Sequence, residues 1–136
     1  LAISINDKEN RHIKRGIKLA NAGAGHSNYL KSVIVQMDVE APQYVWMQIE
    51  RYQFFTIISS QSKMHTFKIP EGKTYEDVLD ETPMGFELTA GISTNYLCLK
   101  NMYHQRKNHR LKFWTEIFCP WVESLPFAKE LIIGNV

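Results

Sequence analysis

Cysteine is scarce in this chain: Cys98 and Cys119 are the only two in 136 residues. They lie far apart, and neither has a Cys or His neighbour at the spacing of a zinc site. That excludes a disulfide framework and indicates no metal centre, so both are expected as reduced thiols in or near the core. No apolar run approaches membrane-spanning length, and no charged n-region precedes an apolar stretch, so a cytoplasmic protein with no membrane contact is expected. The first residue is Leu, as in a processed or trimmed chain that has lost an initial strand. Excess charge is also missing: sixteen Lys and Arg against fourteen Asp and Glu leave +2, too small and too mixed for a nucleic-acid footprint. The five histidines show no HExxH-type spacing, there is no GxGxxG, and no Ser-His-Asp or Cys-His arrangement is readable from residue order.

What is present suits one compact domain over residues 1–136, with 44% hydrophobic residues to fill a core and 22% charged residues to solvate it. Asn6 to Asn10 reads as a cap for a helix from about Glu9 to Ala22, with Ile13, Ile17 and Ala20 at helical spacing. Ala22-Gly23-Ala24-Gly25 should end it. Val33, Val35, Met37 and Val39 alternate with Ile34, Gln36, Asp38 and Glu40, the period of a half-buried strand. Pro42 then sets the first turn of a helix from Gln43 to about Phe54. Phe55 to Ser62 reads as a loop or short extended piece, Thr66 to Pro70 as a strand, Glu71-Gly72-Lys73 as a turn and Tyr75 to Leu79 as a helical turn. A longer helix from about Leu88 to His104 follows, and a last one from about Leu111 to Ile133, kinked or restarted near Pro120 and Pro126. Trp46, Trp114 and Trp121 read as core or interface residues, and Tyr52, Phe54 and Phe55 as core more than ring-stacking residues. The layout is helices with a small antiparallel sheet.

Three blocks carry possible chemistry. The first runs from Gly25-His26 through the strand to Ala41-Pro42, and the second is Arg51-Tyr52-Gln53 followed by Ser59-Ser60-Gln61-Ser62-Lys63. The third is Asn95-Tyr96-Leu97-Cys98-Leu99-Lys100-Asn101, then Arg106, His109 and Trp114-Thr115-Glu116-Ile117. On a continuous helix Asn95, Leu99, Met102 and Arg106 would share one face, polar at its ends and apolar between. An amide offers both donors and acceptors to a polar ring edge, and Arg suits phosphate. The bland alternative has Asn95 capping or ending a helix while Asn101 and Arg106 face solvent. The basic cluster Arg106, Lys107, His109, Arg110 and Lys112 reads either as a solvated turn or as an anion site.

Taken in order, these blocks resemble the flavin-dependent thymidylate synthases. That family carries Gly-His-x-Ser/Thr-Pro-Phe-Glu-His, a strand ending near Ala-Pro, Arg-His-Arg with a Ser seven residues later and a distal Arg, and an Asn-x-Arg-Ser-Leu-x-Asn segment leading to an Arg, a Ser-His and Gln-Trp-Glu-Ile. Here Gly25, His26, Arg51, Asn95, Leu99, Asn101 and Arg106 match without a gap, and His109 matches after deletion of one residue. Tyr52 and Gln53 replace the signature His and second Arg, Leu97 replaces the third-block Arg, and the Glu-His before the strand is lost. Gln61 falls at the family Ser and Lys63 at the distal Arg, while a one-residue insertion would place Ser62 at the serine.

The resemblance implies an α+β fold of that family and a homotetramer whose sites are shared between subunits. It further implies FAD held by Arg51, Asn95, Asn101 and His109, and a dUMP-like nucleotide held by Gln61, Ser62, Lys63 and Arg106. The expected activity is methylation of dUMP to dTMP, with methylenetetrahydrofolate as methylene donor and NADPH as hydride source through the flavin. The rewritten signature supports a second expectation, a catalytically inactive relative serving as a nucleotide-binding or oligomeric scaffold. No protein nucleophile or metal is implied.

Overall fold

The computed structural model describes residues 11–61 and 66–134. In chain order the elements are α1 (Arg11–Ala20), a 3-10 helix (His26–Ser32), β1 (Ile34–Pro42), α2 (Gln43–Ile49), β2 (Thr56–Ser60), α3 (Tyr75–Glu81), β3 (Glu87–Asn95) and α4 (Tyr96–Arg106). A π-helical turn (Phe113–Phe118), α5 (Cys119–Glu123) and a second π-helical turn (Lys129–Ile133) complete the described chain. The class is α+β, and the described residues form two compact units, 11–35 with 95–134, and 36–61 with 66–94.

In the first unit α1 turns Ile13, Ile17 and Ala20 toward the interior, with Ala20 fully buried. The chain leaves α1 where the glycines require it: Gly23 has φ 68° and Gly25 φ 79°, and Ala24 between them is also left-handed at 48°. The proposed cap at Asn6 to Asn10 lies outside the described residues. Helix α4 supplies the centre of this unit, with Leu99 and Met102 fully buried and Tyr96 and Tyr103 nearly so. Lys100 donates through Nζ to the Ala20 carbonyl, one of the end carbonyls that α1 cannot satisfy itself. Burial there pulls the Lys100 ammonium below its ordinary range. Asn21 Nδ2 donates to the carbonyls of Ile17 and Glu130, both at 2.9 Å, joining the end of α1 to the last π-turn. Cys98 and Cys119 are buried thiols of this core.

The second unit is built on a sheet of order β1-β3-β2. Strand β1 follows its sequence period: Val35, Met37 and Val39 are half-buried and Gln36, Asp38 and Glu40 exposed. β2 lies antiparallel to β3, with Thr56 opposite Ser93 and Ser60 opposite Ala90, and an irregularity between Ile57 and Ser59 shifts the register. Helix α2 buries Val45, Trp46 and Ile49. Its first amides are satisfied from the 83–86 turn, Gln43 N–H by the Phe86 carbonyl and Tyr44 N–H by the Met84 carbonyl. Helix α3 opens on a capping box in which Thr74 Oγ1 accepts from the Asp77 amide and Asp77 Oδ2 from the Thr74 amide.

Several expectations are corrected. The segment expected as the first half of a long helix, Leu88 to Asn95, is the central strand β3, and the helix begins only at Tyr96. Leu88, Ala90 and Ile92 recur at every second residue, the period of a strand, and Thr89, Ile92 and Thr94 favour a pleated surface, so the local pattern and the hydrogen bonding to two neighbouring strands agree. Helix α2 stops at Ile49 instead of running to Phe54. Pro42 is its N-cap, in extended conformation, and not its first turn. Phe54 is not core: it is 62% exposed at φ 65°, whereas Phe55 beside it is buried. Residues 67–70 form no strand. Phe67 and Ile69 alternate as a strand would and are half-buried, and the Phe67 ring packs on Phe86 at 4.9 Å, but among the described residues the segment joins no ladder. The last helix is broken at Pro126 as expected, while at Pro120 it runs on, the π-helical turn passing directly into α5.

Candidate functional site

Four of the residues singled out by the third block lie in the first unit. Asn95 is 8% exposed and caps α4, its Oδ1 accepting from the Cys98 amide at 2.9 Å. It therefore stands before the helix and does not share a helical face with Leu99 and Met102. Asn101, on α4, is exposed. Arg106 closes α4, half-buried, with its guanidinium carbon 4.6 Å from the ring centre of the fully buried Trp114. His109 lies three residues on, in the turn after α4, its ring edge-on to the same indole at 6.3 Å.

The sequence folds this way because Trp114 makes a hub. Phe113 and Phe118 also meet it edge-to-face, at 5.4 and 5.1 Å, so the turn between Arg106 and Trp114 is pinned to an aromatic cluster at its far end. Within the turn the His109 amide donates to the Arg106 carbonyl at 2.9 Å, and the Leu111 amide donates to His109 Nδ1 at 3.1 Å. Burial, and then the positive charges of Arg106 and Arg110, hold the His109 imidazole below its ordinary pKa. A fixed imidazole and fixed guanidinium on an otherwise basic turn are suited to an oxyanion.

Elsewhere in this unit Tyr103 donates to Glu123 Oε1 at 2.8 Å. Its phenol is pushed up to about 12 by burial and by that carboxylate. Burial and Glu123 also raise the Cys119 thiol, so neither group is activated as a nucleophile at neutral pH.

The second-block residues belong to the other unit. Arg51 is exposed in the turn that follows α2. Gln61 is exposed beyond β2, with Nε2 donating to Thr66 Oγ1 at 3.0 Å and its amide donating to the Thr89 carbonyl at 2.9 Å. Ser62 and Lys63 lie outside the described residues. His26, from the first block, is exposed at the start of the 3-10 helix of the first unit.

Sequence reasoning passed over a shallow groove of about 430 Å³ on the sheet of the second unit, lined by Asp38, Ser59, Gln61, Thr89 and Gly91 among others. Its floor is Gly91, where a Cβ would stand 2.6 Å from Ser59 Oγ and 3.6 Å from Asp38 Oδ1. Next to it Thr89 Oγ1 donates to Glu40 Oε2 at 3.4 Å. Glu87 has its carboxyl pKa raised, first by a side-chain hydrogen bond with Glu40, then by burial and the charge of Glu40. A glycine in a strand was the available signal, but reading residues 88–95 as helix hid it.

Among the described residues no group of three His, Cys, Asp or Glu side chains is placed to hold a metal, and no helix is long and apolar enough to cross a membrane. No family model matches the chain, and no curated protein matches it.

Proposed function

We propose that this chain is a divergent relative of the flavin-dependent thymidylate synthases that binds a phosphate-bearing nucleotide, FAD or dUMP, at the turn from Arg106 to Arg110. The observation that carries this reading is the joint placement of Arg106 and His109 on the Trp114 indole, at 4.6 and 6.3 Å. Packing on the indole, Arg106 over its face and His109 edge-on, orients both side chains before a ligand arrives, which lowers the entropy lost on binding. The donor set suits phosphate: guanidinium groups at Arg106 and Arg110 and an imidazole at His109. Exposed Asn101 adds an amide for a flavin or uracil edge. FAD, when bound, would supply hydride transfer; the chain's own part is to bind and orient the nucleotide.

A second reading, a catalytically inactive scaffold, is favoured by two specific observations. The Asn95 carboxamide oxygen is engaged by the helix it caps. Tyr52 and Gln53 stand where the family has His and Arg. The experiment that separates the readings is the visible spectrum of the purified protein, before and after incubation with FAD and desalting, followed by titration with dUMP. Retained flavin absorbance, or saturable dUMP binding weakened by Arg106→Ala, supports nucleotide binding. A colourless protein that binds neither probe and still runs as a tetramer supports the scaffold.

A further inference from the structure

The Leu111 backbone amide lies 3.1 Å from His109 Nδ1 and is directed at it. A peptide N–H can only donate, so Nδ1 must present its lone pair, and the ring proton of the neutral imidazole must reside on Nε2. Protonating this imidazole would place a hydrogen on Nδ1 against the Leu111 N–H. The charged groups acting on the ring oppose protonation as well: Arg106 from α4 and Arg110 from the turn itself, while the π-turn that faces it contributes the uncharged indole of Trp114.

We propose that His109 is held as the neutral Nε2–H tautomer and is the uncharged donor of an oxyanion site at this turn, whose ligand is the phosphate of a nucleotide. The ligand half rests on the nucleotide-binding reading above; the tautomer stands on its own geometry. Nothing among the described residues accepts from Nε2, so that donor is available to a ligand oxygen. A neutral donor beside guanidinium groups has a distinct consequence for pH. A phosphomonoester gains its second negative charge near about pH 6. Affinity should therefore rise through that range and stay level to pH 8, whereas an imidazolium donor would lose its charge and weaken binding above about pH 6.5.

The test is a long-range ¹H–¹⁵N spectrum of the histidine rings in the full chain, with His109 assigned by His109→Gln. In the ligand-free protein the expected pattern at pH 7 and above is Nδ1 unprotonated and Nε2 protonated, with imidazolium forming only below the ordinary histidine range. An Nδ1–H pattern or an imidazolium at pH 7 would overturn the tautomer. Addition of dUMP, FAD or inorganic phosphate should then move the His109 Nε2 signal. His109→Gln, whose Nε2 takes the same donor position, should keep dUMP affinity within about threefold, and His109→Ala should lose about tenfold, the scale of one hydrogen bond to a charged acceptor. Binding that leaves the His109 signal unmoved sinks the donor role. Failure of every probe to bind sinks the nucleotide reading and its ligand half together, and the ligand-free spectrum still decides the tautomer.

Discussion

The side-chain oxygen of Asn95 sits 2.9 Å from the amide of Cys98, so a buried carboxamide that ends the central strand also begins the central helix of the first unit. Two elements therefore depend on one residue. Asn95→Ala is expected to cost about 1–2 kcal/mol, the upper range for a helix cap, because the buried Cys98 amide is left without an acceptor. Asn95→Asp should restore most of that loss. Urea midpoints of the three proteins check this, and an Ala variant as stable as the parent would contradict it.

Arg106 and Trp114 give a second expectation. Arg106→Ala should lower stability by about 0.5–1 kcal/mol through loss of the cation–π contact. It should weaken dUMP binding more than Arg106→Lys, which keeps the charge and loses the planar stack. Chemical denaturation and dUMP titration report the two effects separately.

Gly91 offers a test of sheet packing. A Cβ there meets Ser59 Oγ at 2.6 Å, so Gly91→Ala should destabilise by about 1 kcal/mol or more. In a Ser59→Ala background the same change should become neutral or favourable, since the obstructing oxygen is gone and the backbone entropy of glycine is no longer lost. A double-mutant cycle on thermal stability measures the coupling; simple additivity would refute the contact.

Two titrating groups should shape stability in opposite senses. His109 binds protons less readily folded than unfolded, so its contribution is present above the unfolded value of 6.5 and is lost as pH falls below it. Glu87 has a raised carboxyl pKa, so its contribution is present below the unfolded value of 4.5 and is lost as pH rises through the folded value. His109→Gln should therefore flatten the Tm profile on the acid side of 6.5. Glu87→Gln should raise Tm at pH 7 and leave it nearly unchanged at pH 4. Scanning calorimetry across pH 4–8 resolves both.

Elements whose period matched their burial were legible in the sequence. Ile13, Ile17 and Ala20 marked α1, the alternation from Val33 to Val39 marked β1, and Gly23 and Gly25 marked the turn between them. Around the candidate site, Arg106 and His109 were legible as a basic cluster, but their shared contact with Trp114 was not. The aromatic hub joins residues on separate elements, and residue spacing carries no record of it.

What the sequence determined alone is local: the amphipathic stripe of α1, the strand period of β1, the left-handed turn that its glycines require, and the Thr74-Asp77 cap of α3. Each is set by side chains within a few residues of one another, where sterics and short hydrogen bonds act without distant partners. Tertiary structure decided that residues 87–95 form the central strand of the sheet and that α2 ends at Ile49. Leu88, Ala90 and Ile92 already carry the strand period in the sequence. The strand's central place was decided elsewhere in the chain, because β1 and β2 supply backbone donors and acceptors on both sides of β3.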